Sequence, residues 1–366
     1  MKAQLVANDS VKAGMLVYCT SFPNGPGGAI HGFSLDADSG GLTAVHCTDD
    51  IENPFFLTLS PCGNVLYSVH APGTFSGPDF SQIAAYRLEG EDCIPRLITR
   101  QSTHGTGACY LSIAATGKTI LAANYASGSV ASFPLGDDGS PGAAVSVNKL
   151  AQSRIDAAPE RQSHPHCIVP SADGRFVIVA DLGLDRVQVC PFDSAAHRLS
   201  PASNLGVTLQ PGSGPRHLVF SRDSEHFYIV NELNSSITMV DFDEQTGVIR
   251  ERHTYSTLPD GFAGESAAAD IVLTADGRFM YVCNRGHDSI AAYCTGDDGV
   301  PDCVDIASSH GKSPYSLAIS PCGSFLLSAN SGSDCIVVFR IDSASGKLSM
   351  IGSPTAVPFP SCLAIR

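Results

Sequence analysis

Arg216 and His217 stand just before one short apolar run, Leu218–Ser221, and Asn231 and Glu232 stand just after the next, Phe227–Val230. If the runs are antiparallel strands, the start of the first and the end of the second share a sheet edge. Arg216 and Glu232 are then neighbours. A permanently charged guanidinium oriented by a carboxylate can hold a carbonyl oxygen or a substrate anion. A second pattern lies upstream, His164-Pro165-His166. The proline stiffens the approach and sets two imidazoles close to one end of the strand pattern. An imidazole with an ordinary pKa near 6.5 suits proton transfer at neutral pH, so His166 is the first candidate base; Glu232 is the rival, and would need a raised pKa that a neighbouring arginine opposes. The histidines lack H-E-x-x-H spacing, and the sequence has neither a phosphate-binding glycine loop before a helix nor a G-x-S-x-G elbow. The expectation is therefore no metal, no cofactor and no serine nucleophile. That favours attack by water or an intramolecular reaction.

The elements that must position these groups repeat along the chain. A tight-turn signature recurs about every 50 residues, at Ser60–Gly63, Ala114–Gly117, Ser171–Gly174, Ser221–Ser224, Thr274–Gly277 and Ser320–Gly323. Each turn is followed by an apolar strand, a polar corner and a third strand, such as Val187–Phe192 or Ile336–Ile341. A weaker fourth follows, such as Arg96–Gln101 or Leu348–Gly352. Four strands in such a unit make a β-propeller blade. The chain opens on a second-strand pattern, Met15–Thr20, and closes on a first-strand pattern, Ser361–Arg366. Six internal units and one blade shared by the two termini make seven. The expected fold is all-β: a single domain over residues 1–366, a seven-bladed propeller of four-stranded blades, its ring closed by the C-terminal strand. A pair of β-sandwiches leaves the complementary ends unexplained.

In a propeller the first strand of each blade lines the central channel, so its leading end and the trailing end of the second strand ring one mouth. Those positions hold Tyr110, His164 with His166, Arg216 with His217, Asp270 and Tyr315 on first strands. Second strands end in His70, Asn124 with Tyr125, Asp181, Asn231 with Glu232, Asn284 with Arg285, and Asn330. Candidate substrate-binding groups are Arg285, His164, His70, Tyr110, Asn124, Asp181, Asn231, Asp270, Tyr315 and Asn330. Asn and Asp at a strand end also serve as corners that satisfy the backbone, so both readings stand for Asn124, Asp181, Asn284 and Asn330. Two long connections, Ala71–Ser81 and Ala151–Ser163, should emerge on the same face and could act as binding loops.

Composition narrows the partners. A net charge of −14 argues against nucleic acid and anionic membranes, which need a basic footprint. Met1–Lys12 has no apolar signal core and no 18-residue apolar run occurs, so a soluble, cytoplasmic protein is expected. The 13 cysteines are odd in number and scattered, and several, such as Cys190, Cys283 and Cys335, fall inside strand runs. They read as reduced packing residues. The expected state is a monomer or weak homo-oligomer acting on a small molecule.

Three stretches together resemble the seven-bladed lactonase family. They are Gly214-Pro-Arg216-His-Leu-Val-Phe220 with Asn231-Glu-Leu-Asn-Ser-Ser236, Asp276-Gly-Arg-Phe-Met-Tyr-Val-Cys-Asn-Arg285-Gly-His-Asp-Ser-Ile290 after Ala269-Asp270, and Glu160-Arg-Gln-Ser-His-Pro-His166. The family includes propeller-type 6-phosphogluconolactonases and the carboxy-muconate lactonising enzymes. The resemblance implies a catalytic cluster of His166, Arg216 and Glu232, with Arg285 as a further cation. It also implies opening of a sugar lactone, 6-phosphogluconolactone first, in the pentose phosphate route. Tyr315 stands where many of those relatives carry arginine. Cycloisomerisation of an acyclic dicarboxylate would use the same residue types. A non-catalytic scaffold would instead show an apolar or charged patch over the face.

Overall fold

The computed structural model describes residues 15–23, 27–49, 51–71, 79–150, 161–200, 205–296 and 298–366. Seven antiparallel sheets follow one another along the chain. Blade 1 consists of Pro54–Leu59, Val65–His70, Gln82–Glu89 and Ile94–Ser102. The inner strands of blades 2 to 6 are Ala108–Ile113, Pro165–Pro170, Pro215–Phe220, Ala267–Leu273 and Pro314–Ile319. Blade 7 is the composite the termini imply. Pro360–Ile365 is its inner strand, followed by Met15–Ser21, Ala29–Leu35 and Leu42–Thr48. The seam is a regular ladder, Val17 opposite Ile365 and Tyr18 opposite Ala364. Blade 3 departs from the pattern at its outer edge, where Arg198–Leu199 and Gly206–Thr208 both pair with Arg186–Asp193. Among the described residues no helix is long and apolar enough to cross a membrane.

Period-two alternation in each strand buries one row against the preceding blade and one against the following blade. The core is therefore a set of layers between blades. Phe325, Leu327 and Ile336 of blade 6 pack on Val17, Phe33 and Leu363 of blade 7, and Ile30 and Cys362 pack on Leu57 and Leu66 of blade 1. Cys190, Cys283 and Cys335 lie buried in such layers, where a thiol is a small apolar filler. The repeated turns all place their last residue in the left-handed region, Gly63 at φ 71°, Gly174 at 70° and Gly323 at 71°. Ser224 adopts φ 61° at the equivalent position in blade 4, a conformation that costs a side chain what glycine avoids.

Each inner strand carries a β-bulge next to its leading proline or alanine. Pairing skips His166 between Pro165 and Cys167, Arg216 between Pro215 and His217, and Tyr315 between Pro314 and Ser316. It likewise skips Cys109, the pairs Phe55–Phe56 and Ala269–Asp270, and Ser361. A bulge sets two residues against one and re-aims a side chain. Here the re-aimed positions ring the channel mouth.

Candidate active site

The ends of blades 4 and 5 hold a compact ionic cluster. The Glu232 backbone N–H bonds to the Gly214 carbonyl at 2.7 Å. The Asp185 carboxylate accepts the N–H groups of Gly212 and Gly214 at 2.8 and 2.7 Å. The segment entering Arg216 is thereby fixed. The Arg216 side chain is 1% exposed. Its Nε lies 2.9 Å from Glu232 Oε2, an ion pair in which the N–H is not aimed for a hydrogen bond. Its Nη1 donates to the Ala269 carbonyl and, at 3.2 Å, to His217 Nε2. Nη2 makes no hydrogen bond to any described residue. The other Glu232 oxygen, Oε1, is 3.0 Å from Arg285 Nη2. Arg285 also donates from Nε to the Ala267 carbonyl at 3.2 Å. The Tyr315 ring lies 4.9 Å from the Arg216 guanidinium carbon and 5.2 Å from that of Arg285. Tyr315 thus serves as a π-surface for two cations.

Histidines and aromatic rings complete the mouth. His166 packs edge-to-face on His217 at 5.2 Å and on Tyr125 at 5.5 Å. Its Nδ1 is buried with no hydrogen-bond partner. His217 also meets Tyr110 at 5.0 Å and Phe56 at 6.3 Å, and its Nδ1 lies 2.8 Å from Asp270 Oδ1. Burial, reinforced by the Arg216 charge and His217, holds His166 well below the ordinary imidazole range. Burial and Arg216 lower His217 as well, partly offset by Asp270. Burial works to raise the Asp270 carboxyl, but the His217 hydrogen bond and charge, the Leu317 N–H and Arg216 outweigh it and leave it lowered. Both imidazoles are neutral at physiological pH, between two guanidinium groups and two carboxylates.

The structure brings His166, Arg216, Glu232, Arg285, Asp270, Tyr315 and Tyr110 together as the slots imply. The polar atoms of the other candidates are engaged mainly by the protein's own groups. Asn124 and Asn231 are fully buried and act as corners. Asn124 Nδ2 donates to the Thr103 carbonyl and Ser129 Oγ, and Asn231 Nδ2 donates to Ser236 Oγ and Thr238 Oγ1. Asn330 does the same toward the Ser309 carbonyl, and Asn284 toward the Thr257 carbonyl and Ser289 Oγ. Asp181 is spent on Ser163 Oγ at 2.6 Å and the His164 N–H at 2.8 Å, which fixes the approach to His166. His70 is buried inside blade 1, bonded to the Tyr86 hydroxyl at 3.1 Å, and burial takes its pKa down to about 3. His164 stacks on Tyr125 at 4.6 Å and reaches the Tyr125 carbonyl through Nδ1, so it braces the ring that His166 touches. Of the two long connections, residues 72–78 and 151–160 lie outside the described residues. Phe56 and the Ala269 carbonyl carried no signal in the sequence, since an apolar residue at a strand start reads as core and a carbonyl has no residue signature.

The sequence matches the profile described as "Lactonase, 7-bladed beta-propeller" over residues 16–365. It is 28% identical over 349 residues to a 6-phosphogluconolactonase of Bacillus subtilis, covering 94% of this chain and 97% of that relative. The crystal structure of a putative 6-phosphogluconolactonase from Bacteroides fragilis superposes with a TM-score of 0.87 at 26% identity, covering 98% of this chain and 100% of the other. A periplasmic gluconolactonase of Pseudomonas aeruginosa superposes with a TM-score of 0.85 at 30% identity, covering 96% and 98%. The chain belongs to the seven-bladed β-propeller lactonase family, and it is a lactone-hydrolysing enzyme.

Proposed function

We propose that the channel mouth hydrolyses the ring ester of a sugar 1,5-lactone, with 6-phospho-D-glucono-1,5-lactone as the leading substrate and 6-phospho-D-gluconate as product. One observation carries the reading. A buried, permanently charged Arg216, with Nη2 uncommitted among the described residues, shares the mouth with His166, whose Nδ1 is buried without a hydrogen-bond partner; His217 touches both. Nη2 is the donor for the lactone carbonyl oxygen and for the oxyanion that forms there. Water attacks the carbonyl carbon while His166 takes its proton. The tetrahedral intermediate collapses with cleavage of the bond from carbonyl carbon to ring oxygen. The imidazolium returns its proton to that ring oxygen, which leaves as the sugar hydroxyl. Glu232 is not the base in this scheme, because each of its oxygens faces a guanidinium at 2.9 or 3.0 Å. It holds the two cations apart and in register.

The choice of lactone is supported by the names of the Bacillus and Bacteroides relatives. The Pseudomonas relative makes unphosphorylated glucono-1,5-lactone the substrate to compare. A phosphate on the sixth carbon would draw on Arg285, the more exposed of the two arginines. A reducing compartment such as the cytosol fits cysteines that are scattered in the sequence and in part buried as apolar fillers, such as Cys190 and Cys283. Rates on both lactones, corrected for spontaneous opening, test the reading. His166→Ala should lower kcat by roughly two to four orders of magnitude with little change in KM. Near wild-type turnover in that variant would remove His166 as the base.

A further inference from the structure

Resting on that reading, we infer that His217 and Asp270 form a positioning pair for Arg216: Asp270 fixes the proton of His217 on Nδ1, and the bare Nε2 then holds Arg216 Nη1 so that Nη2 faces the substrate. The directions of the hydrogen bonds leave one consistent arrangement. Asp270 is anchored from three sides, by His217 Nδ1 at 2.8 Å, the Ile271 N–H at 3.0 Å and the Leu317 N–H at 2.8 Å. An ionised carboxylate only accepts, so Nδ1 carries the proton. A neutral imidazole with its proton on Nδ1 has a lone pair on Nε2, and Nε2 lies 3.2 Å from Arg216 Nη1, which only donates. With the proton on Nε2 instead, two donors would face each other.

The arrangement also accounts for the choice of an imidazole. Both Nη1 hydrogens are taken, one by the Ala269 carbonyl and one by His217. Together with Glu232 at Nε and the Tyr315 ring over the guanidinium, this sets the plane of the group. A carboxylate at the position of His217 Nε2 would accept equally well, but it would cancel the charge needed for the oxyanion. A neutral acceptor orients the cation and leaves its charge in place. The carboxylate that orders the acceptor stands one ring further away, the same outer partnership that fixes metal-bound histidines and the histidine of hydrolase triads.

Three variants separate this role from a purely structural tie between blades. Glutamine can present an oxygen where Nε2 stands, while losing the bond to Asp270. Asparagine can keep the bond to Asp270, but does not reach Arg216. Phenylalanine fills the volume and does neither. On the lactone the wild-type chain opens fastest, His217→Gln should keep kcat within about threefold. His217→Asn and His217→Phe should lose roughly tenfold to a hundredfold, with KM little changed in all three. Equal losses in Gln and Asn, or Asn outperforming Gln, overturn the proposal, and this comparison decides even if the Phe variant does not fold. Nitrogen-15 NMR of imidazole-labelled wild-type protein gives an independent readout. A neutral His217 with its proton on Nδ1 is expected, and a proton on Nε2 overturns the pair. A wild-type chain inactive on both lactones would overturn the lactone reading, and the NMR result would still decide the pair.

Discussion

His166 differs from a general base of ordinary pKa in a way that the pH profile exposes. Burial and Arg216 lower its pKa well below 6.5, so it stays unprotonated and able to accept far into the acid range. With His166 as the proposed base, activity should be lost only as it becomes protonated, as pH falls through that lowered value. The plot of kcat/KM should therefore stay flat from pH 8 through 6, with its acid limb well below 6.5. A limb centred near 6.5 would mean that an exposed imidazole carries the proton transfer. The low pKa has a cost, since a weaker base pulls less strongly on the proton of water. The preorganised Arg216 must then supply much of the barrier lowering. The residue types at the mouth were legible in the sequence because Arg, His and Glu are hard to place at a channel wall without a use. The pairing of Arg216 with Glu232 was legible too, because both stand at one edge of a single blade. The links from Glu232 to Arg285 and from His217 to Asp270 were not, because they cross from one blade to the next and spacing along the chain does not encode the angle between blades.

At the scale of the element, the bulge beside each leading proline or alanine decides which side chain reaches the mouth. The same corner recurs in every blade, so an asparagine there looks like a site residue in sequence while serving the backbone in the fold. Asn124 ties the start of the third strand of blade 2 to the linker behind blade 1 through Ser129 and the Thr103 carbonyl. Asn124→Ala leaves a buried carbonyl and a buried hydroxyl short of a partner. It should destabilise the fold by about 1–3 kcal/mol and leave KM unchanged, as read by denaturant unfolding alongside kinetics. A raised KM at unchanged stability would place Asn124 in the substrate site instead. Strand existence was readable throughout because turn chemistry recurs on a fixed period. The split outer edge of blade 3 was not, because Arg198–Leu199 and Gly206–Thr208 are too short to leave a periodic trace.

For the whole molecule, two properties follow from the closed ring and its buried rings of imidazole. His70, His166 and His217 all have pKa values below the 6.5 of an unfolded histidine. Above pH 6.5 both states are neutral at these sites and stability is full. As pH falls below 6.5 the unfolded chain binds protons that the folded chain refuses, so stability falls, at about 1.4 kcal/mol per pH unit for each histidine. Urea midpoints at pH 7 and pH 5 measure this, and equal midpoints would contradict it. The seam is the second property. Removing residues 361–366 takes away the inner strand of blade 7, with the Thr20–Ser361 contact at 2.9 Å and the Leu16–Arg366 backbone pair. The truncated chain should aggregate through the edges it exposes. A soluble truncation with an unchanged melting temperature would contradict closure at this seam.

That seam also sets an order of events during synthesis. Blades 1 to 6 are contiguous and can fold as they leave the ribosome, but Met15–Ser21, paired on one edge with Ala29–Leu35, finds the partner for its inner edge only when Pro360–Ile365 has been made. At about 5–20 residues per second, the first strands wait on the order of 15–60 s with an unpaired edge. The nascent chain is vulnerable at Met15–Ser21 throughout that interval, and the synthesis of Pro360–Ile365 ends the exposure.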